Sequence, residues 1–218
     1  MEHKSTRDHA LALIKAGLNA VPLVGGSIAS LIGDYIPTAT QRDTERAMEM
    51  LGEKLTALGV RVDVENVNKD EFSELFKSCY LVIVRTHQHE KLQAAANILA
   101  NLLLRSGDPA KASYNELDHL IRCVEALSIG AITVLGAARR VATTAGQGSQ
   151  GHFNFSQLHE TVPQMDASLL MSLVSELRGF NLIHVQEPPI KMPDYANYLL
   201  ELTPIGRRFV ERFIEGSM

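Results

Sequence analysis

LVSELRGFNLIHV, from Leu173 to Val185, and YLLELTPIGRRFVERFI, from Tyr198 to Ile214, are the two stretches whose reading decides the fold. The first continues an apolar run, Leu169, Leu170, Leu173, Val174 and Leu177, that predicts the inward side of a helix over 167–178. Asp166 is placed to cap it, because a carboxylate accepts the orphan amides of a first turn. Gly179 stands where a left-handed C-cap is wanted. Leu182 to Val185 then reads as a strand, Pro188 to Asp194 as a stiff proline-rich loop, and Tyr198 to Leu202 as a returning strand. Thr203-Pro204 starts a last helix, with proline at the first position, where its missing N–H costs nothing. Phe209, Val210, Phe213 and Ile214 form its apolar side. Upstream, Asn154 and Gln157 suit a helix start, Leu158 and Val162 face inward, and Pro163 ends that helix.

The order helix, helix, strand, loop, strand, helix, together with the Leu-Thr-Pro-x-Gly-x-x-Phe run from Leu202 to Phe209, resembles the winged helix-turn-helix superfamily. In regulators of that superfamily the second helix enters the DNA major groove and the wing touches backbone; the fold also serves protein docking. The resemblance makes Arg178, Lys191, Arg207 and Arg208 the candidate contacts to nucleic acid or a partner. Base readout favours Arg, Lys, Asn and Gln, yet the second helix offers Ser168, Ser172, Ser175 and Glu176 before Arg178. From His152 onward eight acidic residues face five basic ones, a charge of −3. Phosphate contacts supply most non-specific DNA affinity, so the expectation places protein contact ahead of DNA contact.

Thr143 to Gly151 has three glycines and no bulky apolar residue, and reads as a flexible linker. Before it, a stripe of Ala47, Met48, Leu51, Leu55 and Leu58 predicts a helix closed by Gly59. Val60 to Val64 reads as an extended connector rather than a strand, having no partner close in sequence. Phe72, Leu75, Phe76, Cys79, Val82 and Ile83 mark a further helix, as do Leu92, Ala95, Ala96, Leu99, Leu102 and Leu103. Gly107-Asp-Pro109 is a turn, and Ser113 with Glu116 fits a capping box before Leu117, Leu120, Ile121, Val124 and Leu127. Ser128 to Val141 is one more helix. The expected fold class is mainly α. A bundle of five to seven helices spans 1–142, a linker 143–151, and a winged-helix module with a small β-hairpin wing 152–218.

The opening is different in character. Ala16 to Gly33 carries no charge, near the lower limit of length for a membrane span, but Pro22 and Gly25-Gly26 break it into two short helices. It reads as a buried hairpin, or as a segment that meets a membrane or packs in an oligomer through Leu18, Val21, Leu23, Val24, Ile28, Leu31 and Ile32. This opening ahead of a helical bundle resembles bacterial proteins of mobile or defence loci, which sets out an alternative function, a membrane-acting effector using residues 16–33.

The net charge of −4 gives no global basic field. Cys79 and Cys123 fall on apolar faces and read as buried thiols. On a helix His87 and His89 point to opposite sides and do not share a metal ion, in a turn they could, and no distant Cys/His pair has matching spacing, so they read as solvated residues at a helix junction. Val24-Gly-Gly-Ser27 lacks the lysine and hydroxyl of a phosphate loop, and Thr143, Thr144 and Ser149 have no positioned base. Arg139-Arg140 read as solvated or salt-bridged, with phosphate contact as the alternative. The expectation is a cytoplasmic, non-enzymatic regulator or adaptor with no cofactor, metal or small-molecule substrate. Its bundle oligomerises or senses and its last module contacts a protein, so a protein partner or self-association comes first, with DNA and a membrane as the other options.

Overall fold

The computed structural model describes residues 41–86, 88–144, 152–186 and 195–216. The apolar opening with Leu18 to Ile32, the run 145–151, His87, and the loop 187–194 that carries Lys191 lie outside the described residues. The chain is mainly helical with a small antiparallel sheet near its C-terminal end. It divides into two compact units between Glu125 and Ala126.

The first unit holds α1 (Gln41–Leu58), α2 (Lys69–Arg85), α3 (His89–Leu102) and α4 (Tyr114–Ala126). α1 buries the expected stripe, Ala47, Met48, Leu51, Leu55 and Leu58, and stops at Gly59, whose φ of 50° suits a residue without a side chain. α2 is capped by Asn68, whose side chain accepts from the amides of Asp70 and Glu71. α3 departs from the expected one-sided stripe. It is buried on all sides from Ala94 to Leu102, including Asn97 and Asn101, because α1 and α2 both pack against it. The connector after α1 makes a 3-10 turn, Gly59–Arg61, and then a single bridge between Val62 and Leu104. Its partner therefore lies beyond two intervening helices rather than nearby in sequence. The thiols of Cys79 and Cys123 are both buried and free, and burial pushes their pKa upward, for Cys123 to about 12.

The second unit runs α5 (Ile129–Thr144), β1 (His152–Asn154), α6 (Phe155–Thr161), α7 (Ala167–Gly179), β2 (Ile183–Gln186), β3 (Leu199–Leu202) and α8 (Pro204–Arg208), which continues as a wider π-helical turn over Phe209–Ile214. The strand order is β1-β3-β2, all antiparallel. The expected hairpin of β2 and β3 forms, and β1 joins it as a third strand where the sequence indicated only a helix start.

The boundary between units falls before the glycine-rich run, not within it. α5 packs on α6, α7 and β3 and buries Ala131, Ile132, Val134, Leu135, Ala137 and Ala138. An apolar helix of this kind needs the sheet and α7 to cover it, so the polar run after it connects two elements of one unit. Gly130 lies where a Cβ would sit 3.1 Å from the Leu173 methyls, a close approach of α5 to α7.

The caps that place α6 to α8 follow the sequence closely. Asn154 and Gln157 form a reciprocal capping box, Asp166 accepts from the Leu169 amide at 2.9 Å, and Thr203 accepts from the Gly206 amide at 3.0 Å. Gly179 is not the left-handed residue expected. It remains helical, and Asn181 carries the positive φ of 56°, a conformation asparagine tolerates better than most residues. That bend carries the chain into β2.

Candidate functional site

α7 is held in place from three directions. Its inner side buries Leu170, Leu173, Val174 and Leu177. Near its C-terminal end, the Glu176 carboxylate accepts from the Ser128 amide and hydroxyl at 2.5 and 2.8 Å, tying it to the start of α5. Beyond it, the Leu177 carbonyl accepts from the Leu182 amide at 3.0 Å.

The outward side then presents Ser168, Leu169, Ser172 and Ser175, all exposed. Leu169, expected inward, is 48% exposed. At 100° per residue it sits to one side of the stripe that Leu170, Leu173, Val174 and Leu177 define, so strict periodicity separates it where an unbroken apolar run does not. The hydroxyls of Ser172 and Ser175 donate to the carbonyls of Ser168 and Met171 at 3.0 and 2.8 Å. This leaves their oxygens as acceptors, so the face is uncharged and poor in outward donors.

The candidate cations do not gather on this face. Arg178 stands at its far end, exposed, and Arg207 and Arg208 are consecutive at the end of α8, the first exposed and the second half-buried. Lys191 lies outside the described residues. Arg139 is fixed in an ion pair with Glu215 at 2.6 Å and a longer one with Glu211 at 3.4 Å, as a structural role for that arginine requires. His89 begins α3 with its Nδ1 at 3.2 Å from Arg46.

A second concavity lies in the first unit. It is an open cleft of about 490 Å³ whose rim includes Asp63, Asn68, Glu71, Asp108, Lys111 and Tyr114. Most of its polar groups already have structural partners. Arg61 donates two hydrogen bonds to the Asp108 carboxylate, at 2.8 and 2.7 Å. The Lys111 ammonium donates to the carbonyls of Leu102 and Leu104 where α3 ends. Asn66 donates to Asp63, and the Tyr114 hydroxyl donates to Glu74 at 2.8 Å. Desolvation, reinforced by the bond to Glu74, pushes the Tyr114 phenol up to about 12.

The cleft carries an acid-stability signature. The hydrogen bonds from Arg61 hold the Asp108 carboxyl well below the usual carboxylate range, and the hydrogen bond from Asn66 lowers Asp63. A carboxyl with a lowered folded pKa stabilises the protein above the unfolded value. That contribution falls away as pH drops below about 4 toward the folded pKa. The unfolding midpoint is therefore expected to fall steadily with acid below that point. Asp108→Asn should lower stability at neutral pH and flatten the acid limb; urea titrations across pH 2–7 compare the two chains.

Among the described residues no group of three or more His, Cys, Asp or Glu side chains is placed to hold a metal ion, and no helix is long and apolar enough to cross a membrane. No protein-family model, curated protein or solved structure matches the chain.

Proposed function

We propose that this chain is a cytoplasmic, non-enzymatic regulator or adaptor whose second unit is a winged-helix module that docks a partner protein through α7. The observation that carries the reading is the outward side of α7, an exposed leucine among hydroxyls with no cation before Arg178. A helix reading bases needs donors such as Arg, Lys, Asn or Gln along that side, whereas a small apolar spot framed by uncharged polar groups is what a protein partner can cover. The element order of α6, α7, β2, loop, β3 and α8 supports the winged-helix reading, as does the Thr203-Pro204 start of the last helix.

DNA contact would rest on Arg178, Arg207 and Arg208, against the acidic balance of residues 152–218. Fluorescence anisotropy with random duplex DNA at low salt is expected to show no binding. A tight complex that weakens steeply with salt, and loses affinity across all sequences when Arg207 and Arg208 are both replaced, would overturn the reading. A photocrosslinking residue at position 169, introduced in cells, is expected to trap a protein. The same residue at Thr133, on the exposed side of α5, serves as the control. Crosslinks to nucleic acid from position 169, or none beyond the control, count against partner docking.

A further inference from the structure

Three side chains far apart in sequence form a row across the sheet. The register sets His152 of β1 opposite Glu201 of β3, and His184 of β2 opposite the same Glu201. Directly opposed residues share one face of an antiparallel sheet. This row is on the face away from the core, since the neighbouring positions Phe153, Leu200, Ile183 and Val185 are the buried ones. His184 is exposed, and the side chains of His152 and Glu201 are 40% and 36% exposed. His152 Nδ1 already lies 3.7 Å from Glu201 Oε2. Two imidazoles flanking a carboxylate are a donor set suited to zinc and similar divalent transition metals.

We propose that His152, Glu201 and His184 form a divalent-metal site, with Zn²⁺ as its natural occupant, on the open face of the sheet. Neighbouring strands lie about 4.8 Å apart, so the two outer Cα atoms are roughly 10 Å apart. Imidazoles leaning inward from that span can meet the central carboxylate around one ion at about 2.0–2.2 Å. The three side chains do not converge in the conformation described. The register belongs to the paired backbone, however, and convergence asks only for rotation of exposed side chains between staggered rotamers. Three protein ligands leave a fourth position open to water or to a donor from another molecule.

The test uses the full chain without added histidines, titrated with Zn²⁺ alone by calorimetry. One saturable zinc per chain is expected. His152→Gln, His184→Gln and Glu201→Gln should each weaken it by about tenfold or more, while His89→Gln, in the first unit, leaves it unchanged. All four positions are solvent-accessible, and circular dichroism checks that each variant folds. A second measurement needs no variant: substoichiometric Cu²⁺ should broaden amide resonances centred on residues 152, 184 and 201. Absence of saturable binding, binding indifferent to these three substitutions, or broadening centred elsewhere overturns the proposal.

Discussion

Gly206→Ala is expected to destabilise the protein by about 3 kcal/mol or more. A Cβ on Gly206 would fall 1.9 Å from the Leu182 carbonyl oxygen and 2.7 Å from its carbonyl carbon. Both are backbone atoms, so no rotamer change relieves the clash. That carbonyl is also committed, accepting from the Thr203 amide at 3.2 Å, while the Thr203 hydroxyl donates to the neighbouring Asn181 carbonyl at 2.7 Å. Moving Leu182 away from the new methyl would therefore loosen the junction of α7, β2 and α8 together. Gly179→Ala is the matched control. Nothing lies within 4 Å of a Cβ there and its backbone is helical, so alanine should stabilise by about 0.5 kcal/mol through the unfolded state. Urea denaturation of the two variants gives opposite signs if the close approach at Gly206 is real. Equal effects would refute it.

The second large effect is expected at Asn101, where alanine should cost about 3 kcal/mol. The side chain is fully buried in α3, where its amide donates to the Ala110 carbonyl and its oxygen accepts from the Ala112 amide, both at 2.8 Å. It thereby pins the loop between α3 and α4 from inside the helix. Alanine leaves the buried Ala112 N–H without that acceptor, a desolvation penalty of about 1–3 kcal/mol. The vacated volume adds a packing deficit, because the surrounding side chains collapse into it only in part. Asn101→Leu keeps the branched shape but sets methyl groups where two 2.8 Å hydrogen bonds stood, so overpacking adds to the loss of the bonds and it should be destabilised as well. Hydrogen exchange offers a local check: the Ala112 amide should be protected in the parent chain and exchange much faster in both variants. Unchanged protection would show that the loop is held by other means.

How much of this was legible in the residues depended on the range of the interaction. Caps are local, so Asp166, Thr203 and the Asn154–Gln157 pair were readable at once. Stripes of three and four placed most of the core. What failed was whatever depended on tertiary neighbours. α3 looked one-sided because its alanines and asparagines score as neutral, although two helices cover it. The glycine-rich run looked like a domain boundary because composition cannot reveal that α5 is completed by elements on its far side. β1 was too short to show an alternation, and its partner is far along the chain. The α7 face was half readable: the serines were recognised as poor base readers, but Leu169 was grouped with the core because it adjoins Leu170. The row of His152, Glu201 and His184 had no signal at all, since only strand register aligns three positions so widely separated.

The order β1-β3-β2 also has a consequence for how the protein is made. β1 and β2 do not pair with each other; both pair with β3, the last of these three strands to leave the ribosome. A nascent chain that has emerged as far as residue 198 holds both outer strands with no template between them, and their amides remain hydrated until the third arrives. Synthesis proceeds at about 5–20 residues per second, so those outer strands wait for seconds while the helices around them can already form. Completion of the sheet thus waits for β3, and the Thr203-Pro204 cap that follows β3 at once fastens the finished hairpin to the end of α7.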